Sequence, residues 1–99
     1  MNTKKIAIVG AGSWGTALSL HLAEKFDEVS LWVYEKELCD LIQKERENSW
    51  FLPGFQLPKN ITPDTSIEAV MKNQSVILMV IVILMTVVQF RYVEKKVEY

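Results

Sequence analysis

The sequence predicts an α/β fold built on a doubly wound parallel sheet, and three observations carry that prediction. Residues 5–9, KIAIV, form a short and wholly apolar run, which is typical of a strand buried on both faces. A turn containing three glycines follows directly and leads into a segment with helical spacing of apolar residues. The alternation of strand and helix then repeats, and 99 residues suffice for one small domain.

The first half of the chain provides two strand and helix pairs. After the strand at residues 5–9, the segment 13–26 has good helix formers and a helical apolar pattern. Residues 28–34, EVSLWVY, predict a second strand, because β-branched and aromatic residues dominate there. Residues 35–47 predict a second helix with one apolar side.

The second half is less regular. Residues 51–64, FLPGFQLPKNITPD, are rich in proline and predict a loop, with a short third strand near Ile61. The segment TSIEAVMKN predicts a short helix capped by Thr65 or Ser66. A last apolar run predicts a strand from about Ser75 to Val82.

The glycines of the first turn have the spacing G-x-G-x-x-G between a predicted strand and a predicted helix. Gly10 would allow the tight turn, and Gly12 would let a pyrophosphate approach the backbone. Gly15 would let the helix lie close to the strand. The free N–H groups at the start of the helix would then face the phosphates.

An acidic residue at the end of the second strand strengthens this interpretation. Glu35 lies 20 positions after Gly15, the spacing expected for the carboxylate that accepts hydrogen bonds from an adenosine ribose. Together these features predict a Rossmann-type dinucleotide-binding turn. Two alternatives remain, a glycine-rich turn without function and a Glu35 that only begins the second helix.

Composition excludes several other classes of function. The 11 basic and 12 acidic side chains nearly balance, which argues against nucleic acid and anionic membranes as partners. A single cysteine, Cys39, excludes an internal disulfide and favours a cytoplasmic location. One histidine, His21, and one cysteine cannot make a zinc site or a Ser-His-Asp arrangement, so no metal is predicted.

Four segments of the chain between Lys4 and about Val80 are distinctive: GAGSWGTAL, LWVYE, RENSWFLPGFQLPKNI and SIEAVMKN. Together they resemble the N-terminal part of NAD-dependent glycerol-3-phosphate dehydrogenases. The resemblance implies NAD as cofactor and, for the family, interconversion of dihydroxyacetone phosphate and sn-glycerol 3-phosphate. It also implies that Ser13 and Trp14 are variable turn residues at the cofactor and that Tyr34 lies against the adenosine half. The predicted cofactor-binding residues are Gly10, Ala11, Gly12, Ser13, Trp14, Gly15, Tyr34 and Glu35.

The chain departs from that family after about residue 80. Members of the family are roughly three times longer, and their second, helical domain holds the substrate. The lysines that carry catalysis in the family lie beyond the last residue of this sequence, and Lys95 and Lys96 do not match them. We therefore expect an incomplete dinucleotide-binding domain at 1–82, a divergent tail at 83–99, and no catalytic residue. A truncated or frameshifted reading frame would explain this, and a divergent small protein is the alternative. Two functional hypotheses follow, an NAD-binding part that is not catalytic alone and a partly folded chain that self-associates through its apolar C-terminal run.

Overall fold

The structure, a computed structural model, describes residues 4–79. The elements of this part of the chain are, in order, β1 (Lys5–Val9), α1 (Ser13–Leu22), β2 (Glu28–Trp32), α2 (Lys36–Glu45), β3 (Glu47–Asn48), β4 (Leu52–Gln56), β5 (Ile61–Asp64), α3 (Ile67–Met71) and β6 (Val76–Met79).

Four of the strands form one parallel sheet in the order β5-β2-β1-β6. Ala7 of β1 is in register with Ser30 of β2 on one side and with Ile77 of β6 on the other. The chain thus moves outward from β1 to β2 and β5, and then returns to the opposite side of β1. This reversal between β1 and β6 is the arrangement of a doubly wound sheet, so the predicted α/β class is confirmed.

The core lies on both faces of the two central strands. Ile8 of β1 and Leu31 of β2 are completely buried, as expected for strands with helices on both sides of the sheet. The second helix contributes Leu38, Cys39 and Ile42 from its apolar side, as its sequence pattern predicted. Burial of these side chains is the main stabilising term of the domain.

The first helix ends earlier than the sequence predicts. It stops at Leu22 rather than near Phe26, and the residues after it form turns. The amide of Asn60 donates to the carbonyl oxygens of Ala23 and Phe26, at 2.8 and 3.2 Å. A contact with a residue as distant in sequence as Asn60 cannot be predicted from local helix propensity. For this reason the sequence predicts an end of α1 that is too late. At α3, the predicted cap is confirmed, because the Ser66 hydroxyl accepts a hydrogen bond from the Ala69 N–H.

A small antiparallel hairpin, β3 and β4, lies where the sequence predicts the last residue of the second helix, Glu47, and the loop that begins at residue 51; α2 itself ends at Glu45. Glu47 pairs with Gln56, and Asn48 with Leu52. The chain enters the hairpin through Arg46, which has a left-handed φ of 57°. A strand of two residues leaves no periodic pattern, and a proline and a glycine lower the strand propensity of its partner, so local patterns could not predict this pairing.

Two predictions lie partly or wholly outside the described residues. The last strand is seen as Val76–Met79, and its predicted continuation to Val82 is not among them. The predicted tail at 83–99 lies outside them altogether, as does most of the apolar C-terminal run. Between residues 4 and 79, none of the helices has the length and apolar character needed to cross a bilayer.

Candidate functional site

The turn between β1 and α1 begins with a residue whose conformation favours glycine. Gly10 has a φ of 121°, which L side chains rarely adopt. Its N–H donates to the Trp32 carbonyl oxygen at 3.3 Å, so the end of β1 stays attached to the end of β2. The chain can therefore turn sharply out of the sheet directly after Val9.

The third glycine of the turn lets α1 approach closely. A Cβ atom built on Gly15 would overlap the carbonyl oxygen of Gly10 and would lie 2.9 Å from its carbonyl carbon. Behind these atoms, Cγ2 of Ile8 lies at 3.8 Å. The helix thus packs against the backbone of the turn itself, and only glycine leaves room for this contact.

The middle glycine is not required by the protein's own packing. Gly12 is the N-cap of α1, with φ −75° and ψ −167°, a conformation open to any residue. A Cβ atom added to it would meet no other atom within 4 Å. The space above Gly12 is therefore open, and a ligand could approach the backbone there.

The first turn of α1 presents backbone donors to the same space. The N–H of Thr16 makes the first helical bond, to the Gly12 carbonyl oxygen at 3.0 Å. The three preceding N–H groups, of Ser13, Trp14 and Gly15, have no helical partner by the geometry of the α-helix. No acidic side chain lies in this turn, so the positive end of the helix dipole is not neutralised there. The arrangement suits an anion such as a phosphate.

The side chains of the two variable turn residues have different surroundings. The hydroxyl of Ser13 donates to the carbonyl oxygen of Phe51 in the hairpin, at 2.9 Å. The side chain of Trp14 is 60% exposed. Ser13 thus connects the turn to the hairpin, whereas the Trp14 ring is available at the surface.

Two predicted residues lie at the carboxyl end of β2. Tyr34 is 76% exposed and makes an edge-to-face contact with Trp32, with ring centroids 5.9 Å apart. The indole N–H of Trp32 donates to the Thr65 carbonyl oxygen at 2.9 Å. This hydrogen bond holds the Trp32 ring, against which Tyr34 packs, in one orientation. Glu35 is the N-cap of α2, but its side chain makes no capping hydrogen bond. Its carboxylate is not engaged by the first turn of α2.

One residue of the site was not predicted from the sequence. The side chain of Asn48, completely buried in β3, donates to the carbonyl oxygen of Ala11 at 2.9 Å and to the hydroxyl of Thr16 at 2.8 Å. It also accepts a hydrogen bond from the N–H of Phe51 at 3.1 Å. An asparagine after a predicted helix signals a turn or a cap, and nothing local reveals partners more than 30 residues away.

The two residues with intrinsic chemical reactivity lie elsewhere. His21 is exposed on α1. Burial, followed by the charges of Asp64 and Asp40, raises the pKa of the Cys39 thiol, which disfavours the nucleophilic thiolate. The donors of the glycine turn and the groups at Tyr34 and Glu35 instead lie at the carboxyl edge of the sheet. This edge, near the reversal between β1 and β6, is where open α/β sheets bind ligands.

Comparison with known proteins agrees with this geometry. The family model described as "NAD-dependent glycerol-3-phosphate dehydrogenase N-terminus" matches residues 5–98. A glycerol-3-phosphate dehydrogenase [NAD(P)+] of Syntrophobacter fumaroxidans is 45% identical over 76 residues, which are 77% of this chain and 22% of that protein.

Solved structures give the same result. The glycerol-3-phosphate dehydrogenase of Coxiella burnetii superposes with a TM-score of 0.74 at 40% identity, over 80% of this chain and 24% of that one. The enzyme of Saccharomyces cerevisiae gives a TM-score of 0.74 at 28% identity, over 81% and 26%. The chain thus spans about a quarter of the length of these relatives.

Proposed function

The chain belongs to the family of NAD-dependent glycerol-3-phosphate dehydrogenases, and we propose that its described part binds NAD(H) at the turn from Gly10 to Gly15. The observation that carries this proposal is the open space above Gly12. A glycine that neither the backbone conformation nor the packing requires is best explained by a ligand that needs the space.

The pyrophosphate of the dinucleotide would lie over Gly12, against the first turn of α1. The N–H groups of Ser13, Trp14 and Gly15 are the donors, and the helix dipole adds a favourable charge interaction. The adenosine half would then extend toward the end of β2, where Tyr34 offers an exposed ring and Glu35 an unengaged carboxylate.

A titration of NADH fluorescence tests this proposal with two matched variants. Gly12→Val would fill the space of the pyrophosphate, and we expect affinity to fall at least a hundredfold, or about 2.8 kcal/mol. Because nothing lies within 4 Å of that Cβ, the variant should fold. Ala17→Val adds similar bulk on the exposed side of the same helix and should bind NADH normally.

Thermal melting gives an independent check of the unmodified chain. NADH at a hundredfold excess over its dissociation constant should stabilise a competent binder by about 2.7 kcal/mol. The absence of any shift in melting temperature, or equal affinities of the Gly12→Val and Ala17→Val variants, would refute binding at this turn.

The same site should prefer NADH to NADPH. A 2′-phosphate on the adenosine ribose would face the Glu35 carboxylate, and like charges in a partly desolvated contact repel. Tyr34 offers an aromatic ring but no positive charge to compensate. We expect a preference of at least tenfold, or about 1.4 kcal/mol. The absence of a capping bond from Glu35 supports a ligand-binding role over a purely helix-capping one.

The reaction of the family, interconversion of dihydroxyacetone phosphate and sn-glycerol 3-phosphate, is the proposed context of this binding. The contribution of residues 4–79 is to hold the nicotinamide cofactor, which supplies the hydride when bound. Positioning of the substrate and proton transfer require further groups. The resemblance implies that in the family a second domain holds the substrate and that the catalytic lysines are not among the residues of this sequence. A cytoplasmic location is part of the same proposal, supported by the lone buried thiol of Cys39.

Self-association through the apolar C-terminal run is a second candidate. The first residues of that run, Val76 and Ile77, are 45% and 43% exposed in β6. Sedimentation at several protein concentrations tests this candidate. A single monomeric species at all of them would exclude it.

A further inference from the structure

The buried side chain of Asn48 donates both of its hydrogen bonds to residues around the glycine turn. Its amide nitrogen donates to the carbonyl oxygen of Ala11 and to the hydroxyl of Thr16. The same hydroxyl is 3.4 Å from the Ala11 oxygen, to which it donates. One backbone carbonyl of the turn is therefore held by two side-chain donors from inside the protein.

The direction of that carbonyl determines the direction of a donor on the opposite side. Ala11 and Gly12 share a planar, trans peptide unit, in which the C=O and N–H bonds point in opposite directions. Because the Ala11 oxygen points inward to Asn48, the Gly12 N–H points away from the buried network.

This peptide unit needs such an anchor because one of the two residues that it joins is a glycine. A Cβ atom added to Gly12 would meet nothing within 4 Å, so no packing contact on that side restrains the residue. Rotation of the peptide changes ψ of Ala11 and φ of Gly12, and glycine tolerates both signs of φ, so the steric cost of the rotation is small. A rotated peptide would turn a carbonyl oxygen toward the phosphate instead of an N–H group.

We propose that Asn48 is a positioning residue, which holds the Ala11–Gly12 peptide so that its N–H faces the pyrophosphate of the dinucleotide. This inference rests on the proposed function. Asn48 does not touch the ligand itself. It raises the fraction of molecules whose turn is competent to bind, and the apparent dissociation constant varies inversely with that fraction.

The hairpin is coupled to the turn through the same residue. The Asn48 side-chain oxygen accepts from the Phe51 N–H, and the Phe51 carbonyl oxygen accepts from the Ser13 hydroxyl. The hairpin therefore contacts the glycine turn at Ala11, through Asn48, and the start of α1 at Ser13, through Phe51. Its role in the site is to keep the turn in one conformation.

The chain offers a closely matched control for a test. Asn60 also donates two hydrogen bonds from its amide nitrogen, but its acceptors are the backbone carbonyls of Ala23 and Phe26, beyond the far end of α1. Asn48→Ala and Asn60→Ala should therefore both lower the melting temperature. Only Asn48→Ala should weaken NADH binding, by at least fivefold, or about 1 kcal/mol. Asn60→Ala should stay within twofold of the unmodified chain.

A second measurement needs no ligand. The Thr16 N–H is bonded to the Gly12 carbonyl oxygen, so its hydrogen exchange reports on the order of the turn. Exchange at Thr16 should be at least tenfold faster in Asn48→Ala than in Asn60→Ala. If the unmodified chain does not bind NADH, the proposed function fails, and this exchange measurement still decides whether Asn48 orders the turn.

Several outcomes would overturn the inference. Equal NADH affinity of the Asn48→Ala and Asn60→Ala variants contradicts it, and so does equal exchange at Thr16. If Asn48→Ala does not fold, Thr16→Val replaces it, because that change removes the other donor to the Ala11 oxygen with little loss of volume. Thr16→Val should weaken binding at least threefold, and unchanged affinity would refute the positioning role.

Discussion

Replacing Gly15 by alanine tests whether close approach of α1 to the turn determines the stability of this domain. The added Cβ would overlap the carbonyl oxygen of Gly10 and come within 2.9 Å of its carbon. Both atoms belong to the backbone, so no side chain can rotate away. The overlap can be relieved only if α1 moves away from the end of β1.

The cost of this movement follows from what lies between the helix and the sheet. A radial gap of about 0.5–1 Å already loses roughly a quarter to a half of the dispersion energy of each contact across it. Overpacked sites usually lose about 1–3 kcal/mol, and a clash with backbone belongs at the upper end of that range. We therefore expect Gly15→Ala to lower the free energy of unfolding by about 3 kcal/mol.

Urea denaturation followed by far-ultraviolet circular dichroism measures this loss. With a slope of about 1.5 kcal/mol per molar urea for a chain of this size, the midpoint should fall by about 2 M. Gly12→Ala is the matched control, because it makes the same chemical change where no atom lies within 4 Å. Alanine suits its backbone conformation but is a poorer N-cap than glycine, so the two effects oppose each other and the free energy of unfolding should change by less than about 1 kcal/mol.

The two variants should also differ in how they lose NADH. Gly12→Ala should weaken NADH binding with little change in stability, whereas Gly15→Ala should lose both affinity and stability. Equal urea midpoints for the two variants would refute the close-approach argument. A Gly12→Ala variant as unstable as Gly15→Ala would show that the space above Gly12 is needed by the fold.

Three further predictions concern the chemistry of the chain. Glu35→Ala should lower the ratio of the NADPH dissociation constant to the NADH dissociation constant at least threefold, with little change in melting temperature. An unchanged ratio together with a lower melting temperature would indicate that Glu35 only caps the helix. The purified 99-residue chain should not oxidise NADH in the presence of dihydroxyacetone phosphate, since it matches less than a quarter of the length of the Syntrophobacter fumaroxidans enzyme. NADH oxidation at a rate proportional to protein concentration would contradict this. At pH 8, iodoacetamide should alkylate Cys39 at least tenfold more slowly in the folded chain than in urea. Burial raises the pKa of the thiol and keeps the reagent away from the sulfur. Equal rates of alkylation would show that Cys39 is exposed.

The sequence predicted the parallel sheet and the first turn because both depend on local patterns. An apolar run followed directly by glycines at fixed spacing restricts the chain to very few conformations. The structure accordingly has Gly10 at positive φ and Gly15 against the turn. The serine cap of α3 was predictable for the same reason, since Ser66 and its partner Ala69 are three residues apart.

The hairpin and the role of Asn48 could not be predicted because they depend on contacts between distant residues. Asn48 meets Ala11 across 37 positions, and β3 has only two residues. No periodicity extends over so short a strand, and polar side chains are compatible with loops as well as with buried networks. The binding roles of Tyr34 and Glu35 stay predictions, although the structure leaves both side chains available.

The two asparagines that hold α1 also constrain how the domain forms during synthesis. Asn48 and Asn60 each bond a carbonyl 37 positions earlier, at Ala11 and Ala23. Closing a loop of that length costs roughly 3 kcal/mol of chain entropy, apart from a constant. Because the two loops overlap, closing one shortens the path between the ends of the other from 37 to about 24 residues, which lowers the cost of the second closure by only about 0.4 kcal/mol. A nascent chain should therefore not order its glycine turn until Asn48 has left the ribosome, and the far end of α1 should be held only after Asn60 has emerged as well.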